Sequence, residues 1–263
     1  MKSVLDFSKK KKLQEKISMV TCYDYGMAKI LSQTKVDVLL VGDSLAQTVH
    51  GFPNTLHATI DMMALHTAAV ARGTHQFIVA DMPFLSHRKG IHAAVVDAQK
   101  LMLAGAHAIK IEGVHGHADV IKYIIESGIP VMGHLGLTPQ SIHQLGGPKI
   151  QGKTFEQAED LMQQAQILND IGCFAIVLEC IPSELARKIT EKVTVPTIGI
   201  GAGGLTDGQV LVINDLLGMN AEFNPKFLKK YLQLNSLIIQ SVNQYVTEVN
   251  RKEFPDLEHE YTL

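Results

Sequence analysis

Apolar positions along this chain fall into two kinds of stretch. Short, nearly continuous apolar runs recur near 17–22, 36–42, 77–81, 107–111, 129–133, 173–178, 195–200 and 209–213. Between most of them lie longer segments with helical spacing, including 61–72, 92–104 and 155–170. Continuous runs suit strands buried on both faces, and their separation by helices predicts a parallel sheet. Eight such units without a break in composition predict one closed (β/α)8 TIM barrel of α/β class over 1–263, with an N-terminal extension and a C-terminal helix.

Several runs end on an ionisable residue. The run at 38–42 leads into Asp43, 77–80 into Asp81 and 107–109 into Lys110-Ile111-Glu112, while 129–133 stops at His134 and 174–178 at Glu179. Barrel enzymes assemble their sites at the carboxyl ends of the strands. Residues two apart share a face of a strand, so Lys110 and Glu112 are expected to point together into the barrel mouth. By the same rule Glu179 continues the row of Ala175 and Val177, Asp81 that of Phe77 and Val79, and Asp43 that of Leu39 and Val41. A single acid at a strand end is ordinarily a cap. Acids, a lysine and a histidine on one rim predict an enzyme with a metal-capable acidic cluster.

Composition narrows the partners. A formal charge of -2 on 263 residues argues against a nucleic-acid partner. No stretch approaches the ~20 apolar residues of a membrane-crossing helix, and Lys9-Lys10-Lys11-Lys12 lacks the apolar segment of a signal peptide. That lysine run reads as a solvated helix face in a soluble, cytoplasmic protein without a membrane partner. Cys22, Cys173 and Cys180 lack CxxC spacing and read as small buried residues.

Other motifs carry less. Residues 199–204 spell GxGxxG, but too little chain follows to complete a dinucleotide domain, and the next loop does not match a phosphate cradle. His115-Gly116-His117 has the spacing of a metal pair in a glycine-containing loop and is expected to be an exposed helix start. His57, His66, His75, His87 and His92 receive no role. From Lys226 to Arg251, Tyr231, Leu234, Ile238, Val242, Tyr245 and Val249 recur at helical spacing, widened by Leu232, Ile239 and Val246. Such a stripe needs burial, against its own barrel or a second subunit.

Taken as segments, 41–45, 80–84, 110–113, 133–141, 178–182 and 198–203 resemble the hallmark stretches of ketopantoate hydroxymethyltransferases. Among them are Val41-Gly42-Asp43-Ser44-Leu45, Ala80-Asp81-Met82-Pro83-Phe84, Lys110-Ile111-Glu112-Gly113 and Gly133-His134-Leu135-Gly136-Leu137-Thr138-Pro139-Gln140-Ser141. The resemblance runs in order from about Thr21 to Lys226. It implies a (β/α)8 barrel that moves a one-carbon unit from methylenetetrahydrofolate to 3-methyl-2-oxobutanoate, making ketopantoate for pantothenate synthesis. It also implies a magnesium site at Asp43, Asp81 and Glu112, and Glu179 as the base. The keto acid would contact Ser44, Lys110 and His134, with Asp43 and Asp81 sharing in its binding. A homodecamer is the assembly it implies. A barrel of the isocitrate lyase and phosphoenolpyruvate mutase group would share the metal, but the cysteine-bearing loop of that group has no counterpart here.

The chemistry fits these residue types. Removing the C3 hydrogen of an α-keto acid leaves an enolate whose oxygen needs positive charge in place. Hard carboxylates with water suit magnesium, whereas few His or Cys at the rim argue against zinc.

Overall fold

The computed structural model describes residues 1–261, in two compact units that divide after Val212. The first holds eight parallel strands: β1 (Ile17–Thr21), β2 (Val38–Val41), β3 (Phe77–Asp81), β4 (Ala108–Glu112), β5 (Val131–Gly136), β6 (Ala175–Glu179), β7 (Thr197–Ile200) and β8 (Gly208–Leu211). They pair in sequence order, and β8 closes on β1 with Ile17 opposite Gly208. The expected TIM barrel is therefore present, with helices between successive strands except β7 and β8, which a loop connects.

Its interior is filled by side chains. Ile17, Met19, Val38, Leu40, Phe77, Val79, Met132, Ala175, Val177, Ile198 and Val210 form one buried cluster. The alternation rule holds for β3, β4 and β6, whose inward rows end on Asp81, Glu112 and Glu179. It fails for β2. Val38 and Leu40 take the interior, so Leu39 and Val41 face the other way. Asp43 lies beyond the end of β2, where the chain has turned and strand alternation no longer sets direction.

The bottom of the barrel is sealed by the N-terminal helix Val4–Lys12. Phe7 is fully buried and meets Phe77 and Phe174 edge-on at ring separations of 5.4 and 4.9 Å. The lysine run is less solvated than expected. Lys10 pairs with Asp37 at 2.7 Å, and Lys11 reaches the Thr190 and Val195 carbonyls and Asp207.

Strand boundaries move where backbone chemistry requires it. Pro130 has no N–H for the ladder, so β5 begins after it, although its carbonyl accepts from Ile109 N at 3.0 Å. β5 ends at Gly136, where φ is +93° and any Cβ would lie 2.2 Å from the Glu179 carbonyl oxygen. Only glycine fits that approach. The neighbouring helix Phe155–Asp170 starts on Thr154, whose hydroxyl accepts from Gln157 N, and buries Leu161, Ala165 and Leu168. Leu168 occupies the space where a Cβ on Gly133 would sit, at 2.6 Å, which brings this helix against the strand that carries His134.

The glycine-rich segment after β7 serves packing. A Cβ at Gly199 would meet Thr206 Oγ1 at 2.8 Å, and one at Gly203 would meet Ser183 Cβ at 2.5 Å.

The second unit contains the helix Leu234–Arg251, which buries none of its residues. The expected helical stripe began earlier, at Lys226. Tyr231 and Leu232 instead lie in a preceding loop, fixed by hydrogen bonds from Tyr231 N to the Leu216 carbonyl and from Leu234 N to that of Leu217.

Candidate active site

At the carboxyl ends of β2 to β6 the structure gathers Asp43, Asp81, Lys110, Glu112, His134 and Glu179, all buried except Glu179, which is half-buried. Asp43 N donates to Asp81 Oδ2 at 3.0 Å, and Asp81 Oδ1 lies 3.1 Å from Lys110 Nζ. Lys110 Nζ approaches His134 Nδ1 at 3.2 Å. His134 also lies 3.4 Å from Glu112 Oε1 through Nδ1 and 3.2 Å from Glu179 Oε2 through Nε2. Ser44 is at the rim, its Oγ 2.8 Å from the buried Tyr23 hydroxyl. Thus every residue expected from the sequence sits at one end of the barrel.

The electrostatics are lopsided. Burial, then repulsion by Asp81 and Glu112, holds the Asp43 carboxyl well above the usual carboxylate range. Burial also raises Asp81, against the pull of Lys110. Glu112 is likewise desolvated, yet the hydrogen bond and charge of His134, with Lys110 behind them, bring it below the ordinary value. Burial and Lys110 oppose charge on His134, but Glu112 and Glu179 outweigh them and push the imidazole up to about 9. The close approach of Lys110 would suit a neutral ring; with a carboxylate at each nitrogen, we favour the imidazolium. Lys110 is desolvated too, and three surrounding acids keep it firmly protonated. Two cations then face four carboxyl groups, and the shortage of positive charge falls on Asp43.

This donor set fits a hard divalent ion. Asp81 Oδ1 and Glu112 Oε1 are buried without an aligned hydrogen bond, facing only the ammonium and the imidazole. Among the described residues no three His, Cys, Asp or Glu side chains close directly on one ion position. An ion at this rim would keep water in part of its shell, as magnesium does.

Two features escaped the sequence. Gln140, in the turn Pro139–Ser141 after β5, is buried. Its backbone N donates to Glu112 Oε2 at 2.9 Å, and its Nε2 donates to Asp43 Oδ2 at 2.8 Å and the Met82 carbonyl at 2.9 Å. It lies within the segment 133–141 but beyond the end of β5, where strand periodicity carries no information. The second is His117. Expected at an exposed helix start, it is only 1% exposed and packs against His87, also buried, with ring centroids 4.6 Å apart. The turn from Val114 to His117, closed by a hydrogen bond from His117 N to the Val114 carbonyl, swings the ring inward. His115 does stay exposed, beside Asp160 at 3.0 Å. The cysteines are free thiols; burial pushes Cys22 and Cys173 up to about 12 and Cys180 to about 11, which removes them as nucleophiles.

A cavity of about 820 Å³ adjoins the cluster. Gly113, Gly136 and Gln140, next to the acids in chain or by hydrogen bond, line it together with Phe84, Arg88 and Gln157.

Residues 2–257 match the family model described as ketopantoate hydroxymethyltransferase. A protein named 3-methyl-2-oxobutanoate hydroxymethyltransferase from Legionella pneumophila (strain Lens) is 54% identical, over 97% of this chain and 98% of that protein. One of the same name from Francisella tularensis subsp. tularensis is 52% identical over 99% of each. Among solved structures, a phosphonopyruvate hydrolase complexed with oxalate and Mg++ aligns over 98% of this chain and 93% of its own, with a TM-score of 0.62 at 9% identity. A 2,3-dimethylmalate lyase, titled a PEP mutase/isocitrate lyase superfamily member, aligns over 100% of this chain and 92% of its own, with a TM-score of 0.63 at 14% identity. At such identities these two show the shared barrel alone.

Proposed function

The chain belongs to the ketopantoate hydroxymethyltransferase family, and from that premise we propose how the strand-end cluster performs the reaction. The enzyme transfers a hydroxymethyl group to 3-methyl-2-oxobutanoate, giving ketopantoate in pantothenate biosynthesis. The observation that carries the assignment of roles is the contiguous network from Asp43 to Glu179 at one rim of the barrel.

In this reading the keto acid lies over the cluster with its carboxylate toward Lys110, whose charge the surrounding acids secure, and toward the Ser44 hydroxyl. Magnesium, held by Asp43, Asp81 and Glu112 with water in the remaining positions, would supply the Lewis acidity that draws charge onto the keto oxygen. Glu179 takes the C3 proton. It is the cluster's half-buried carboxylate, and His134 at 3.2 Å holds it in place. The resulting nucleophilic carbon bonds to the methylene carbon of methylenetetrahydrofolate, the two carbon–nitrogen bonds to that carbon break, one water supplies the hydroxyl group, and the C3 proton and the water's other proton end on the two folate nitrogens. The donor's bulk takes the adjoining cavity, whose wall at Gly136 backs directly onto Glu179.

The exposed apolar side of the helix Leu234–Arg251, including Leu237, Val242 and Tyr245, supports assembly into the decamer proposed here. Three free thiols suit the reducing cytoplasm, the location we propose. We further propose that 1–263 acts as one catalytic domain; a fragment of 1–212 turning over at the full-length rate would overturn this. The direct test of the reaction is to incubate the protein with 3-methyl-2-oxobutanoate, methylenetetrahydrofolate and magnesium. Ketopantoate should form, cease with a chelator and return on adding magnesium; turnover indifferent to the chelator sinks the metal role.

A further inference from the structure

Gln140 touches at once the turns just beyond β2 and β3 and the end of β4. Its two amide hydrogens go to Asp43 Oδ2 and the Met82 carbonyl, and its backbone N–H goes to Glu112 Oε2. Both side-chain contacts are acceptors, so the amide nitrogen, and not its oxygen, must face the cluster. The residue is 6% exposed and held by these three hydrogen bonds.

The consequence lies in which oxygens remain. Gln140 occupies one oxygen of Asp43 and one of Glu112, while Asp43 N occupies Asp81 Oδ2. In each of these three acids one oxygen thus accepts from an N–H donor, which hinders both oxygens of that carboxylate from chelating one ion, while the second oxygens of Asp81 and Glu112 face only Lys110 and His134. Magnesium has a small, near-octahedral shell and takes carboxylates one oxygen at a time, whereas calcium takes 6–8 ligands and accepts both oxygens of one carboxylate. A residue that ties up the second oxygen therefore does more than hold the acids still. It disfavours the larger ion.

We propose that Gln140 is a positioning and specificity-determining residue, which enforces one-oxygen presentation by Asp43 and Glu112 and so makes the site select magnesium over calcium. This rests on the reading of those acids as metal ligands. Replacing Gln140 with Met keeps the volume but removes both side-chain donors and frees Asp43 Oδ2. Gln140→Asn keeps the amide one methylene too short to reach Asp43, guarding against a folding defect peculiar to Met.

The experiment is calorimetric titration of the metal-free full-length protein with Mg2+ and separately with Ca2+, with near-ultraviolet circular dichroism confirming the fold. Wild type should bind Mg2+ in preference to Ca2+. In Gln140→Met and Gln140→Asn the ratio of the two dissociation constants should move toward calcium by about tenfold or more, the scale of a lost hydrogen bond to a charged group. A general loosening would weaken both ions alike and leave the ratio unmoved. A folded variant with an unchanged ratio overturns the role of Gln140 while leaving the metal site standing. Failure of the wild type to bind either ion overturns both.

Discussion

At the amino-terminal end of the barrel, Phe7 closes an apolar plug with Phe77 and Phe174. At the carboxyl-terminal end, the same strands finish in a buried network of carboxylates, one ammonium and one imidazole. The two ends share a backbone scaffold and differ in what burial does. Removing aromatic surface from water stabilises the first end, whereas desolvating charges at the second costs free energy that their mutual attraction only partly offsets. The raised Asp43 carboxyl marks the uncompensated remainder. One end should therefore govern stability and the other turnover, with little exchange between them.

The sharpest break between the ends should come from Glu179→Gln. It removes the base while keeping a polar group beside His134, so exchange of the substrate C3 hydrogen in deuterated water should fall by about 10²–10⁴-fold. The thermal midpoint should stay near that of the wild type. Proton NMR of the keto acid measures the exchange, and a wild-type rate would remove Glu179 from its role.

Phe7→Ala is the converse, with its effect confined to stability. Losing a fully buried phenyl ring that packs on two others should lower unfolding free energy by about 3–5 kcal/mol in urea titration. Turnover by the fraction that remains folded should be unchanged. A variant of normal stability, or one whose folded form has lost kcat, would contradict the division between the ends.

That division was only partly legible from sequence. Continuous apolar runs disclosed the strands because burial on both faces leaves no other pattern, and the terminal acids disclosed the rim because a charge at the end of such a run needs a reason. Asp43 was expected on an inward row with Leu39 and Val41; the structure puts Val38 and Leu40 inside and leaves Asp43 in the turn beyond. Alternation ends where the strand does. Gln140 was invisible because its meaning lies in contacts to three other strand ends, which no local spacing encodes. His117 depended on one turn, and the helix expected from Lys226 begins only at Leu234 because the preceding loop satisfies its backbone locally.

A smaller effect, opposite in sign, is expected for Asp43→Asn. The substituted amide oxygen can still accept from Gln140, while one of the mutually repelling carboxylates is gone. Because the folded state holds this carboxyl above its ordinary value, its ionisation opposes folding at neutral pH. The metal-free variant should be more stable than the wild type by about 0.5–2 kcal/mol and lack magnesium-dependent turnover. A less stable variant would show that the acidic rim is not under strain.

The smallest effect concerns His87, buried behind the rim against His117. Burial first, and then the charges of His117 and Arg88, bring its imidazole down to about 3 from an ordinary 6.5. The unfolded chain takes up this proton near pH 6.5, whereas the folded protein resists it until about pH 3, so the contribution to stability is complete above 6.5 and drains away as pH falls between those values. At about pH 5.5 this single group should have cost about 1.4 kcal/mol. His117 is depressed in the same direction and adds to the slope. His87→Phe should therefore flatten, without abolishing, the fall in thermal midpoint between about pH 7 and pH 5.5. An identical pH slope in variant and wild type would mean that His87 gains its proton in the folded state as readily as in the unfolded one, and burial behind the carboxyl-terminal rim would then not be what keeps this imidazole neutral.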